Sequence, residues 1–293
     1  MGYGGHLMLT PLARELKARY PDRPVVFVTR SKLWQRLVGR NRPLPVQSDI
    51  FRDNPHLTPA DAVQPSDDPL YVYLDGNVAT YWTKVTRQRA VYKTGAHAID
   101  HICAGFGIEK PLRKCELFLS DGERTKAQEV ARKIGPFIAI EPHANDEFTV
   151  NKEWGFERWQ AVADVLTPEC TFVQISTAGK RVLRGVQDWC GHLNFREAAA
   201  LIGESRLFLG PEGGLMHAAN AVGTRALIIF GGFISPDLTG YCENVNLYSA
   251  IDCAPCGLRR RCPYHLECMA KITPERVIAE VRDLLNPSGA TQG

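Results

Sequence analysis

Short apolar runs alternate with amphipathic stretches of helical period along most of this 293-residue chain, and no other feature restricts its fold as much. A strand that is apolar on both faces has to be covered on both sides, and parallel strands need a crossover to return. The pattern therefore specifies βαβ units around parallel sheets. Apolar runs at 24–29, 70–74, 137–141, 171–176, 207–210 and 226–230 read as strands, with an isolated one at 116–120. Helical periodicity marks 7–20, 96–106, 121–133, 156–166, 195–202, 214–221 and 274–285. In the first of these, Leu9, Leu12, Ala13 and Leu16 share one face, opposite Arg14, Glu15, Lys17 and Arg19. Residues 40–68 are polar and proline-rich, a loop region with room for one short strand.

The length suits two domains of about 150 residues each. The texture changes across 108–123, where a charged, proline-containing stretch separates two α/β series. A boundary near residue 125 divides the chain into domains 1–125 and 126–293 with a cleft between them. Lys plus Arg number 35 against 32 Asp plus Glu, a formal net charge of +3. That balance argues against a nucleic-acid partner. No apolar run reaches the ~18 residues of a membrane helix and no signal peptide opens the chain. A cytoplasmic protein with at most peripheral membrane contact is expected.

Two segments carry the chemistry. In the first, a strand at 207–210 runs into Pro211-Glu212-Gly213-Gly214-Leu215-Met216-His217 at the start of a helix. Free N–H groups and the positive end of the helix dipole suit such a start to a diphosphate. Glycines let a ligand approach the backbone, and Glu212 offers acceptors to sugar or ribose hydroxyls. In the second, His143, Thr149 and Lys152 lie on the loop that leaves strand 137–141 and leads to Trp154 and Trp159. Ligands of open α/β sheets sit outside strand carboxyl ends, so both segments face one crevice. Lys152 is a compact cation for a phosphate oxygen. The two tryptophans read as packing residues.

Together these segments resemble the donor half of glycosyltransferase family 9, the ADP-heptose:lipopolysaccharide heptosyltransferases and their relatives. Gly2-Tyr-Gly-Gly-His6 with Thr10-Pro11 is similar to the family's N-terminal Gly-x-Gly-Asp…Thr-Pro signature, and the segment from Ile251 to Val277 resembles its cysteine-rich tail. The resemblance implies a GT-B fold: two Rossmann-like domains, acceptor side first and nucleotide sugar second, with parallel sheets facing a central cleft. It implies inverting transfer from a nucleotide diphosphate sugar, ADP-heptose or similar, to a cell-envelope glycan or other bacterial acceptor, with no catalytic metal. The donor would be met by His143, Thr149, Lys152 and the stretch Glu212, Gly213, Gly214, Leu215, Met216 and His217.

The chain also departs from the family pattern. Gly5 stands where the family carries its proposed aspartate base, which leaves His6 and Asp75 as the candidate bases. Glu-Gly-Gly replaces the usual Asp-Thr-Gly, leaving room for a donor other than ADP-heptose. The glycine-rich turn at Gly2–His6 has no strand before it, so either the fold lacks that strand or the chain begins late. These departures keep open a second reading, a degenerate member that binds nucleotide sugar as a scaffold subunit.

Three further groups stand out. His97, Asp100 and His101 are spaced to share a helix face, more in keeping with a polar surface than a metal cluster. Lys84, Arg87 and Arg89 form a charge run suited to an anionic acceptor, to a membrane phosphate or to plain solvation. Cys253, Cys256, Cys262 and Cys268 crowd into sixteen positions. In a cytosolic setting such spacing favours a structural Zn or Fe site over disulfides. The other five cysteines read as buried thiols.

Overall fold

The computed structural model describes residues 2–30, 43–75, 82–92 and 95–286. The chain opens with helix α1 (Tyr3–Leu7), followed by α2 (Thr10–Arg19). The glycine-rich start is thus helical and not an open turn. Gly in a helix costs about 1 kcal/mol relative to Ala, and here tertiary packing outweighs that preference: Leu7, Met8 and Leu9 are fully buried.

β1 (Val25–Arg30), β2 (Pro43–Pro45) and β3 (Leu70–Tyr73) form the first sheet, in the order β2-β1-β3. β1 and β3 are parallel, as expected, but β2 pairs antiparallel at the edge. Two prolines confine β2 to an edge, because they cannot donate to a further strand. Next comes a hairpin that periodicity does not reveal, β4 (Trp82–Val85) and β5 (Ala90–Tyr92), and then helix α3 (Ala98–Ala104). The side chain of Lys84 lies outside the described residues.

The strand expected at 116–120 does not form; the segment is extended without a ladder. Its backbone is served by side chains instead. Thr10 Oγ1 accepts from Glu116 N at 2.8 Å, Asn220 Oδ1 accepts from Cys115 N at 2.8 Å, and the Arg196 guanidinium donates to Phe118 O at 2.6 Å. Buried polar backbone needs partners, and these replace a strand's.

Helix α4 (Asp121–Ile134) starts at Ser120, whose hydroxyl accepts from Glu123 N while Glu123 reaches back to Ser120 N, a reciprocal capping box. Residue 125 lies inside this helix. There follow β6 (Phe137–Ile140), α5 (Phe156–Leu166), β7 (Thr171–Gln174), β8 (Gln187–Asp188), α6 (Phe195–Gly203), β9 (Leu207–Pro211) and α7 (Gly214–Val222). β10 (Ala226–Ile229), α8 (Pro236–Thr239), β11 (Val245–Leu247), α9 (Glu267–Ala270) and α10 (Pro274–Leu285) complete the chain. The six-stranded sheet has the order β11-β10-β9-β6-β7-β8 and is parallel throughout. Read from β8, this is the 3-2-1-4-5-6 order of a doubly wound nucleotide-binding sheet, and the order reverses between β6 and β9. β6, β9 and β10 are buried along their whole length, which accounts for their unbroken apolar runs.

Two cores cover this sheet. One, built on Trp154, Trp159 and Val281, lies beneath α5 and α10. Trp154 and Trp159 are fully buried and meet edge to face at 4.7 Å, the packing role expected of them. The other core continues from Phe208 and Met216 without a break to Leu7, Leu12 and Phe27 of the first sheet and its helices. α1 packs directly on α7. An added Cβ on Gly4 would come 2.8 Å from the His217 ring and 3.2 Å from Gly214 Cα, so glycine is what allows this approach.

Candidate active site

The reversal between β6 and β9 places two loop starts side by side. Glu212 follows β9, and the loop after β6 ends in a short helical turn, Val150–Lys152, capped by the Thr149 hydroxyl. These segments meet: Lys152 Nζ forms an ion pair with Glu212 Oε2. Glu212 is 6% exposed, and a buried carboxylate needs such a partner. The ammonium also lies 5.0 Å from the centre of the Phe233 ring and 5.8 Å from that of Phe148, where cation–π attraction adds to its placement.

Beside this pair, α7 begins at Gly213 in extended backbone, and no side chain caps it. Its first-turn N–H groups, at Gly214, Leu215 and Met216, therefore have no capping side-chain oxygen. His217 lies deeper than the sequence suggests. It is 2% exposed, with Nδ1 2.6 Å from Tyr241 Oη. Burial drives its pKa down to about 4, with the Glu212 charge opposing and His97 and Lys152 assisting. The Tyr241 hydroxyl that shares this hydrogen bond also lies 3.0 Å from the Cys115 thiol, a group held protonated by a pKa that burial pushes up to about 12.

Thr149 and His143 are both engaged with protein. Thr149 is 1% exposed and donates to Leu258 O at 3.2 Å. His143 Nε2 lies 2.8 Å from Arg181 O, and its ring stacks on Phe156. The loop brings forward a carboxylate that sequence reasoning missed, Glu141, at the carboxyl end of β6. It accepts from Ser176 Oγ at 2.7 Å and from His143 N at 2.9 Å, yet burial raises its pKa to about 8. Its signal was present in the sequence: an acid directly after a buried strand. Phe233 and Tyr241 come from distant loops and gave none.

The two candidate bases lie apart among the described contacts. His6, on α1, shares a 2.8 Å hydrogen bond with Ser48 Oγ and packs on Phe51; burial, helped by the nearby N-terminal charge, lowers its pKa. Asp75 is exposed at the carboxyl edge of β3 and accepts from Arg30 N at 3.0 Å. His97 is buried and is not part of a solvated polar face. It caps α3 through Nδ1 and hydrogen-bonds Gly240 O through Nε2 at 3.0 Å, a neutral ring with a pKa near 4 from burial.

Among the described residues no group of three or more His, Cys, Asp or Glu side chains is placed to hold one ion, so metal binding by Cys253, Cys256, Cys262 and Cys268 is not shown. Cys256 N donates to Gly232 O, Cys262 N to Asn151 Oδ1, and Cys268 opens α9 against Gly232, while Cys253 is exposed. Burial, with neighbouring thiols adding to it, raises the pKa of Cys256 and Cys268. Of the remaining five, Cys103 and Cys115 are buried, whereas Cys170 and Cys190 are half-buried and Cys242 is exposed.

A doubly wound sheet joined to a smaller sheet, with a cation, a buried acid and an open helix start at the switch point, defines an α/β protein of the GT-B class. The chain belongs to glycosyltransferase family 9 (heptosyltransferase), whose family model matches residues 77–265; it is a glycosyltransferase. A family 9 glycosyl transferase from Veillonella parvula DSM 2008 is similar over 98% of this chain and 95% of its own, with 15% identity and a TM-score of 0.66. E. coli ADP-heptose lps heptosyltransferase II is similar over 97% and 96%, with 16% identity and a TM-score of 0.62. The dodecameric iron-containing heptosyltransferase TibC, solved in complex with ADP-D-beta-D-heptose, is similar over 97% of this chain and 73% of its own, with 16% identity and a TM-score of 0.64. No curated protein matches the sequence. Among the described residues no helix is long and apolar enough to cross a membrane.

Proposed function

We propose that this glycosyltransferase moves a sugar, heptose or related, from a nucleotide diphosphate to a hydroxyl of a cell-envelope glycan or other bacterial acceptor, inverting the anomeric centre. The observation that carries the reading is the Lys152–Glu212 pair beside the uncapped start of α7. TibC holding ADP-D-beta-D-heptose supports a donor of the same class. We place the acceptor side in residues 1–125 and the donor side in 126–293.

In this mechanism the acceptor oxygen forms a bond to the anomeric carbon as the bond to the diphosphate oxygen breaks. The acceptor proton goes to a base, His6 or Asp75, and the bond electrons leave with the diphosphate. Lys152 and the N–H groups of Gly214 to Met216 meet that growing negative charge, and fixed donors of this kind supply a large part of rate enhancement. Glu212 orients the ammonium and accepts from a sugar hydroxyl. Neutral His217 and Tyr241 hold α7 from behind.

Donor binding and transfer are the test. ADP-heptose and other nucleotide sugars are offered to the full chain, and both bound nucleotide and released diphosphate are measured. Lys152→Ala is expected to lower kcat by ~10²-fold or more. Retention of the parental rate would remove Lys152 from the site. Donor binding without turnover on any acceptor would favour the scaffold reading, which the glycine at position 5 supports.

A further inference from the structure

A cavity of about 650 Å³ lies outside the donor machinery, and three arginines, Arg87, Arg259 and Arg261, line it together with Asp146, Glu147 and Phe148. Arg87 belongs to the turn of the β4–β5 hairpin, and the other two belong to the cysteine-rich loop. Asp146 is paired with Lys180 at 3.2 Å, which leaves three guanidinium groups against the single free charge of Glu147. Among the described residues no carboxylate pairs with any of the three arginines.

This basic wall is built and not merely solvated. Arg259 is locked: its backbone N–H donates to Gln88 O at 2.7 Å, Nε to Phe148 O at 3.2 Å and Nη1 to Thr86 O at 3.3 Å, with its guanidinium 4.5 Å from the centre of the Phe148 ring. Two of its five N–H donors are used, and the remainder stay available in a fixed fork, the geometry that suits oxyanions. The loop itself is anchored. Asn151, 2% exposed, donates to Leu258 O and to Arg260 O, the latter at 2.6 Å, and accepts from Cys262 N at 3.0 Å. Gly257, at φ +57°, touches Ala90 O so closely that a Cβ would collide with it, and Ala90 N donates back to Gly257 O at 2.7 Å.

Phe148 ties this cleft to the reaction centre. Arg259 lies over its ring and the Lys152 ammonium lies 5.8 Å from the ring centre. A group bound among the arginines therefore sits about one aromatic ring from the cation assigned to the donor diphosphate. The donor's own negative charge is already provided for at Lys152 and α7. A second, separate cationic cleft needs a second anion.

We propose that the Arg87–Arg259–Arg261 cleft binds an oxyanion group, phosphate or carboxylate, carried by the acceptor. The proposal deepens the acceptor side of the function above and rests on that reading for the position of the donor. It makes acceptor choice depend on charge: a neutral glycan lacking the oxyanion is a poor acceptor even when its hydroxyl is correct.

The test titrates inorganic phosphate, and in a parallel arm acetate, into the full chain at constant ionic strength by calorimetry, with and without saturating ADP. Phosphate is expected to bind with ADP present. Affinity should fall tenfold or more in Arg87→Ala/Arg261→Ala, two exposed positions whose loss leaves the fold intact, while ADP affinity stays unchanged. Arg259→Lys keeps the charge but loses the fork and is expected to weaken binding as well. Acetate binding as tightly as phosphate would assign the group as a carboxylate; weaker binding would assign a phosphate. Phosphate affinity unaltered in the double variant, or abolished by ADP in the parent, would overturn the proposal. Failure of ADP itself to bind would count against the donor site instead, because arginine-dependent phosphate binding is read independently of it.

Discussion

Residue by residue, the site depends on which charged groups have partners already. Lys152 and Glu212 satisfy each other, His217 is neutral and enclosed, and His6 and Asp75 lie in the first half of the chain, hydrogen-bonded to Ser48 and to the Arg30 backbone. The base is identified by rate. If His6 takes the acceptor proton, His6→Ala lowers kcat by ~10²-fold or more with donor affinity little changed. Because burial lowers the His6 pKa below its ordinary 6.5, the acidic limb of the rate profile should lie below that pH and vanish in the variant. If Asp75→Ala produces the loss while His6→Ala does not, the base is Asp75. Tyr241 and Phe233 had no sequence signal as site residues, because a phenol or a phenyl ring in a loop looks the same whether it faces solvent or backs a histidine.

Among the elements, helices with local start signals were legible and segments held by distant side chains were not. Ser120 and Glu123 announce α4, Asn194 and Glu197 announce α6, and Thr273-Pro274 announce α10; in each case the information lies within four residues. Ser120→Ala should destabilise the protein by about 1 kcal/mol, read as a shift in the denaturation midpoint. The 116–120 segment misled for the opposite reason. Its alternation fits a strand, but Thr10, Asn220 and Arg196 supply its hydrogen bonds from far along the chain. The cysteine-rich loop is likewise held from far along the chain, by Asn151 and by the close approach of Gly257 to Ala90. Asn151→Ala leaves buried carbonyls without donors and should cost about 1–3 kcal/mol. The same variant should speed proteolysis of the loop near Arg259 to Arg261.

In the whole molecule, the two halves are joined by buried polar groups as well as by the continuous core. Arg196, 2% exposed, donates to both oxygens of Glu123, at 2.7 and 2.8 Å, and to Asp49 O in the first half at 2.9 Å. Removing it leaves Glu123 to Arg52 and Ser120 and takes the donors from Asp49 O and Phe118 O, so Arg196→Ala should destabilise by about 1–3 kcal/mol as measured by denaturant unfolding. Protonation gives an independent check. His97 and His217 have folded pKa values near 4, against ~6.5 in an unfolded chain. Between these values the unfolded chain binds more protons, up to about two, so stability is full above pH ~6.5 and falls as pH drops toward ~4. Thermal midpoints across that range should decline accordingly, and less steeply in His97→Asn. Arg196 holds the Glu123 pKa at about 2, so its contribution disappears only later, as pH falls from ~4.5 toward 2.

The amino-acid sequence alone determined the α/β class, four of the six strands of the larger sheet with the long helices that cover it, and the strand-end loops that carry Lys152 and Glu212. Those features follow from periodicity, caps and strand-end motifs, which act over a few neighbouring residues. Only the tertiary structure decided that α1 seats on α7 and that His217 is buried behind Tyr241. It also decided that Arg259 and Arg261 converge with Arg87 on one cavity. Each of these outcomes depends on groups more than twenty residues apart, whose approach is set by packing and by the need to satisfy buried polar atoms, and no local pattern encodes that.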